Sequence, residues 1–139
     1  MSVADNDRFQ IARKMFAEDT ASQSLGIELL ELGRGHATTR LTVTEAMVNG
    51  HGITHGGYIF LLADTTFALA CNSHDHPAVA ARADIRFVGP TRSGDILTAR
   101  AVERTRYGRN AIYDVTVTDI EMVTVAEFRG DSRVLPDHR

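Results

Sequence analysis

The chain has little with which to cross-link itself, bind nucleic acid or enter a membrane. Of its 139 residues one is a cysteine, Cys71, so no internal disulfide can form. Net charge is −3 with both signs spread along the chain, which supplies neither a basic stripe for a nucleic-acid backbone nor an acidic tail. Nucleic acid is therefore not an expected partner. The longest apolar run, Tyr58 to Ala63, falls far short of the roughly 20 residues that a membrane span needs, so no membrane segment is expected either. Asp5, Asp7 and Arg8 interrupt any signal-like run near the start, and the expectation is a cytoplasmic protein. No repeat, low-complexity tract or linker divides the sequence. A single domain over 1–139 follows, large enough to bury roughly 68% of its unfolded surface.

One more absence is local and more informative. Between Gly56 and Cys71 there is no Lys or Arg, and the stretch His55 to Asn72, HGGYIFLLADTTFALACN, is apolar or small almost all the way round. That pattern predicts a buried helix with no water-facing side. Asp64 breaks it, with Phe60, Leu61, Phe67 and Ala68 at its i±3 and i±4 positions. A carboxylate there must be satisfied from outside its own helix. Gly56 and Gly57 leave the first backbone N–H groups unshielded at the positive end of that helix.

The remaining segments place this helix. Met1 to Asp7 is small and polar and is expected to fray. Phe9, Ile11, Ala12, Met15 and Phe16 recur at helical spacing, predicting a short helix that ends near Thr20. Ile27, Leu29 and, more weakly, Leu30 and Leu32 suggest a strand that breaks at Gly33-Arg34-Gly35. His36 to Thr44 alternates more clearly. Asn49-Gly50-His51-Gly52 is turn chemistry leading into the helix. Beyond the polar loop Ser73 to Pro77, four extended segments follow: Val79 to Phe87, Ile96 to Glu103, Ala111 to Thr118, and Met122 to Val134. In the first of these Val79, Ala81, Ala83, Ile85 and Phe87 fall on one face. Short connections imply an antiparallel sheet, α+β in class, curving round the one long helix. Part of the helix and one sheet edge would then need cover from a second copy.

Spacing sets the chemistry. Gly56 and Asp64 are eight residues apart, about 12 Å along a helix axis, so they cannot attend to one reacting atom. If both act on one substrate they come from two helices, and the sequence predicts a homodimer with composite sites. The Gly56 and Gly57 N–H groups would form an oxyanion hole, and Asp64 of the partner would be base or nucleophile. Taken singly, Asp64 could equally be a structural carboxylate, and the glycine pair could serve close packing.

The string NGHGITHGGYIFLLADTTFALACN, with Phe87-Val88-Gly89-Pro90 and Gly94-Asp95 after it, resembles the hotdog-fold acyl-CoA thioesterases, specifically the phenylacetate-pathway (PaaI-type) branch. The resemblance runs from Leu25 to Val134. It implies a six-stranded antiparallel sheet wrapped round the helix, an acyl-CoA substrate such as an aryl-acetyl or medium acyl thioester, no cofactor, and dimers paired into a tetramer. By the same resemblance Gly56 is the oxyanion-hole glycine and Asp64 of the opposite subunit the catalytic carboxylate. Asn49 helps place the attacking water or the thioester carbonyl, and His55 supports the same loop. The chain departs from its relatives in having Ala80, Ala81 and Arg82 where a small hydroxyl residue is common. It also has Gly89 before Pro90, with Arg92 beyond, where an Arg is common.

Candidate contacts to coenzyme A are Gly57, Arg82, Arg92, Arg104, Arg106 and Arg109, since Arg forks match phosphate oxygens; a solvated hairpin tip is the other reading of the last three. His51 and His55 are four apart, but the glycines around them exclude a regular helix and no third ligand is evident, so no metal is expected. His74 and His76 read as surface residues, and Cys71 as a buried small hydrophobe. Two rivals to a thioesterase stay open: a hotdog enoyl-CoA hydratase or dehydratase, which usually pairs a His with a Glu or Asp placed otherwise, often with a His-Phe-Pro string absent here, and a non-catalytic acyl-CoA-binding module.

Overall fold

The computed structural model describes residues 8–136; the segment Met1 to Asp7, expected to fray, lies outside them. The first apolar stripe forms α1, Gln10–Ala17, which buries Ala12 and lays Met15 and Phe16 against the core. It stops before Thr20 because Asp19 starts another helix. The Asp19 side chain accepts the Ser22 N–H at 3.0 Å and so caps α2, Thr20–Ser24. The single N-terminal helix of the sequence reading is thus two.

β1, Glu28–Gly33, and β2, His36–Thr42, pair antiparallel through a turn in which Gly35 takes φ 80°. Their register slips between Leu29 and Glu31, leaving Leu30 44% exposed, which is why Leu29, Leu30 and Leu32 do not alternate in the sequence. β2 alternates as expected, burying Ala37, Thr39 and Leu41. A 3₁₀ turn, Glu45–Met47, then leads into a loop closed by a bridge between Val48 and Thr54.

The predicted central helix is α3, Gly56–Cys71, about 24 Å long by its rise. All six strands touch it. Ile59, Leu62, Ala63, Thr66, Phe67, Leu69 and Ala70 are buried. The expectation of no water-facing side needs correction. Gly57 is exposed and Phe60, Leu61, Asp64 and Ala68 are half-buried, a stripe at helical spacing that one chain does not cover. At the other end the Asn72 amide donates to the carbonyls of Ala68 and Ala78 and its Oδ1 accepts the Ala78 N–H at 2.9 Å, tying the helix to the strand that follows.

That strand is β3, Ala78–Phe87, followed by β4, Ile96–Tyr107, β5, Asn110–Thr118, and β6, Thr124–Val134. The six form one sheet in the order β1-β2-β4-β5-β6-β3, with every pair antiparallel, as the short connections require. β4 runs past the expected end at Glu103. β6 starts beyond Met122, whose φ of 67° ends extended pairing there. β3 is an edge strand whose register slips between Ala80 and Arg82; of the residues that alternate onto one face, Ala83 and Ile85 pack against the core while Val79 and Phe87 are 47% and 57% exposed.

The core centres on Phe67 of α3, whose ring meets Tyr113 edge-on at 5.7 Å and Phe128 at 5.8 Å. Gly130 makes room for it, since a Cβ there would stand 2.8 Å from the Phe67 ring. The Tyr113 hydroxyl donates to Glu103 Oε1, which also lies 2.7 Å from His74 Nε2. His74 is therefore not a surface residue; its side chain is 11% exposed.

Candidate active site

The loop before α3 is held by its own asparagine. Asn49 Oδ1 accepts the N–H groups of His51 and Ile53, at 2.9 and 3.3 Å, and Gly52, at φ 78°, turns the chain back to give its N–H to the Asn49 carbonyl. The Asn49 Nδ2 hydrogens remain as donors. Thr54 anchors the loop to the segment after β3, its N–H on the Thr91 carbonyl at 2.8 Å and its hydroxyl 2.7 Å from that of Thr91.

The chain then enters α3 through His55, the N-cap. His55 Nδ1 accepts the Gly57 N–H at 2.9 Å. The two glycine amides expected to act together are thus different: Gly57 is satisfied, whereas the Gly56 N–H has no acceptor among the described residues. Gly56 is also tightly packed, as a Cβ there would stand 2.9 Å from Phe87 Cζ. Both readings of this glycine, close approach and free donor, hold at once.

Beside the helix end lies a mostly apolar cavity of about 450 Å³, lined by Asn49, Thr54, Gly56, Ile59, Phe87 and Thr91 among others. Asn49 and Gly56 therefore meet at one site. Asp64 does not join them; it lies two turns along α3, half-buried, and its carboxylate carries no hydrogen bond among the described residues. Burial holds its carboxyl above the ordinary carboxylate value, and the negative charge of Asp19 adds to the shift. Asp64 in turn helps to push the Cys71 thiol up to about 12, after burial, which leaves that cysteine an inert part of the core.

The candidate arginines are scattered. Arg92 follows cavity-lining Thr91 and gives its backbone N–H to Asp95. Arg82 is exposed beside the β3 bulge. Arg104 pairs with Asp114 at 3.3 Å, and Arg106 and Arg109 line a separate hollow of about 240 Å³ with His76 and Leu135. That hollow lies where β6 ends against the start of β3, at the C-terminal end of α3 and away from Gly56. Among the described residues no group of three His, Cys, Asp or Glu side chains could hold a metal, and no helix is long and apolar enough to cross a membrane.

Sequence reading missed Asp19 as a neighbour of Asp64 and the Thr54–Thr91 clasp of the loop. The first had a local signal: Asp19 with Ser22 three residues later is an N-cap pattern. The second joins residues 37 apart and had none.

Known proteins with this architecture carry related chemistry. Residues 51–126 match the family model described as thioesterase superfamily. The chain is 42% identical over 124 residues, 89% of each protein, to the acyl-coenzyme A thioesterase PaaI of Escherichia coli (strain K12). The solved structure of the E. coli PaaI protein from the phenylacetic acid degradation operon superposes with a TM-score of 0.89 at 41% identity, covering 92% of this chain and 93% of that one. The structure of smu.793 from Streptococcus mutans UA159 bound to acetyl CoA has a TM-score of 0.76 at 26% identity, covering 81% and 91%.

Proposed function

Since the chain is a thioester hydrolase belonging to the thioesterase superfamily, with an acyl-CoA thioesterase of PaaI type as its relative, we propose that it hydrolyses an aryl-acetyl-CoA or medium acyl-CoA to free acid and CoA. The hotdog sheet and helix supply two halves of the site. The observation that carries the reading is the Gly56 N–H, free of any acceptor among the described residues, at the positive end of α3 and on the wall of an apolar cavity that Asn49 also lines.

In this mechanism the acyl group enters the cavity and its thioester carbonyl oxygen approaches the Gly56 N–H. Asp64 of the partner subunit takes a proton from water as the water oxygen bonds to the carbonyl carbon. The Gly56 N–H holds the oxyanion. Collapse then breaks the C–S bond, and the CoA sulfur leaves with the proton returned from Asp64. Direct attack by Asp64 to give an anhydride, hydrolysed in a second step, uses the same groups. Asn49, its Oδ1 held by two backbone donors, offers Nδ2 to the water or to the carbonyl. His55 fixes the helix start.

Three observations support a composite site in a homodimer, with dimers pairing further. Gly56 and Asp64 are about 12 Å apart along one helix. The stripe through Gly57, Phe60, Leu61, Asp64 and Ala68 is incompletely covered, and β3 is an open edge. In such a dimer Arg82, Arg92, Arg104, Arg106 and Arg109 are the cations available to the CoA phosphates.

Thiol release from a panel of CoA esters tests the reading. The expected result is turnover of arylacetyl or medium-chain esters that collapses in Asp64→Ala with KM little changed. Wild-type kcat in Asp64→Ala on the best substrate would sink it.

A further inference from the structure

Asp19 does more than a helix cap requires. Its Oδ1 accepts the Ser22 N–H at 3.0 Å, which suffices to cap α2. Its second oxygen, Oδ2, accepts the Ser22 hydroxyl at 2.6 Å, and Ser22 Oγ lies 2.8 Å from Thr65 Oγ1 of α3. Both hydroxyls are buried, Ser22 at 1% exposure and Thr65 at 6%. An ionised carboxylate can only accept, so the Ser22 proton goes to Asp19 and Thr65 must donate to Ser22. The relay therefore runs one way, from Thr65 through Ser22 to Asp19. Thr65 is the residue directly after Asp64.

We propose that Asp19 is a positioning residue for Asp64: the Ser22 and Thr65 hydroxyls pin its carboxylate against α3, so that a fixed negative charge beside the reacting side chain keeps Asp64 ready to accept a proton. This rests on the assignment of Asp64 as the base. A like charge disfavours ionisation, and the two effects at Asp64, burial first and Asp19 second, act in the same direction. Nothing among the described residues opposes them. From α1, Arg13 is turned to the Arg8 carbonyl, and neither it nor Lys14 acts on Asp64. On α3 itself the other titratable groups are Tyr58, in the first turn, and Cys71, held as the neutral thiol. From the sheet, Glu103, Arg106 and Arg129 engage Tyr113 and Asp114 instead. A carboxylate whose pKa is raised is the stronger base and accepts a proton more readily in the transition state.

Asp19→Asn separates charge from capping, because Asn caps a helix about as well as Asp. In the full-length protein the Asp64 carboxyl, followed by carbon-13 NMR, is expected to titrate at lower pH in Asp19→Asn than in the wild type. The acid limb of kcat/KM moves the same way. Ser22→Ala, which frees the second Asp19 oxygen, moves both in that direction by less. A purely structural role would lower the unfolding midpoint and move neither titration. An Asp64 titration unchanged in Asp19→Asn overturns the proposal. Because that titration is read without turnover, it is independent of the base assignment; a shifted titration with an unshifted acid limb supports the hold of Asp19 on Asp64 and counts against Asp64 as the base.

Discussion

His55 Nδ1 accepts the N–H of Gly57 at 2.9 Å, so the residue that opens the central helix also decides which of two adjacent glycine amides stays free. The cap takes Gly57 and leaves Gly56 facing the cavity. His55→Ala should then lower stability by about 1 kcal/mol, the usual worth of an N-cap side chain, and lower kcat, because the uncapped helix start loosens and no longer fixes the Gly56 N–H. His55→Asn, which can cap, should recover most of the stability. Urea unfolding of both variants, beside thiol-release kinetics, checks this; equal stability of His55→Ala and the wild type would rule the cap out as a support.

Asp64 carries a stability cost with a definite pH signature. Its carboxyl is held above the ordinary carboxylate value by burial and by Asp19, so the folded protein binds its proton more tightly than the unfolded chain does. A group raised in this way favours folding most below its unfolded pKa, and that contribution is lost as pH rises through the folded pKa. Once ionised, Asp64 therefore opposes folding. Asp64→Asn is expected to have a higher urea midpoint than the wild type at neutral pH, with the advantage vanishing below the ordinary carboxylate range, while turnover is lost. An advantage that does not change with pH would show that the Asn substitution acts through packing instead.

How far the sequence could carry these conclusions depended on how local each determinant is. The central helix and the turn before it are local: an all-round apolar period and an Asn-Gly-His-Gly string can be read without partners. Burial of His74 is not, because it depends on Glu103, 29 residues away on β4. The face of β3 is legible only in part, for a different reason: Ala83 and Ile85 pack against the core, but Val79 lies across the register slip between Ala80 and Arg82 and falls on the other side, and alternation in sequence cannot show a slip. The free Gly56 amide falls between these cases. The glycines were visible, but which amide is capped follows from the placement of one His side chain.

Gly130 should be intolerant of any side chain. A Cβ there would lie 2.8 Å from a Phe67 ring that is 1% exposed and already in contact with Tyr113 and Phe128, so the ring has nowhere to go. Gly130→Ala is expected to lower stability by about 1–3 kcal/mol, the range for overpacking a filled core. Adding Phe67→Leu should return part of that loss, which a double-mutant cycle in urea measures; strictly additive losses would mean that the two positions do not collide.

Complementation between inactive chains gives the most direct test of the shared site. If Gly56 of one subunit works with Asp64 of another, an Asp64→Ala chain keeps a sound Gly56 and a Gly56→Ala chain keeps a sound Asp64. Ala at position 56 pushes on the tip of Phe87, a half-exposed side chain able to yield, so this variant should fold with its amide displaced. Each variant alone has only broken sites. Co-refolded in equal amounts, a mixed dimer has one site with both substitutions and one with neither, and random pairing should restore about a quarter of wild-type activity. If each chain carried its whole site, no mixture could exceed its components. Absence of recovery, with mixed dimers verified by mass, would put Gly56 and Asp64 of one chain in the same site or remove one of them from the chemistry.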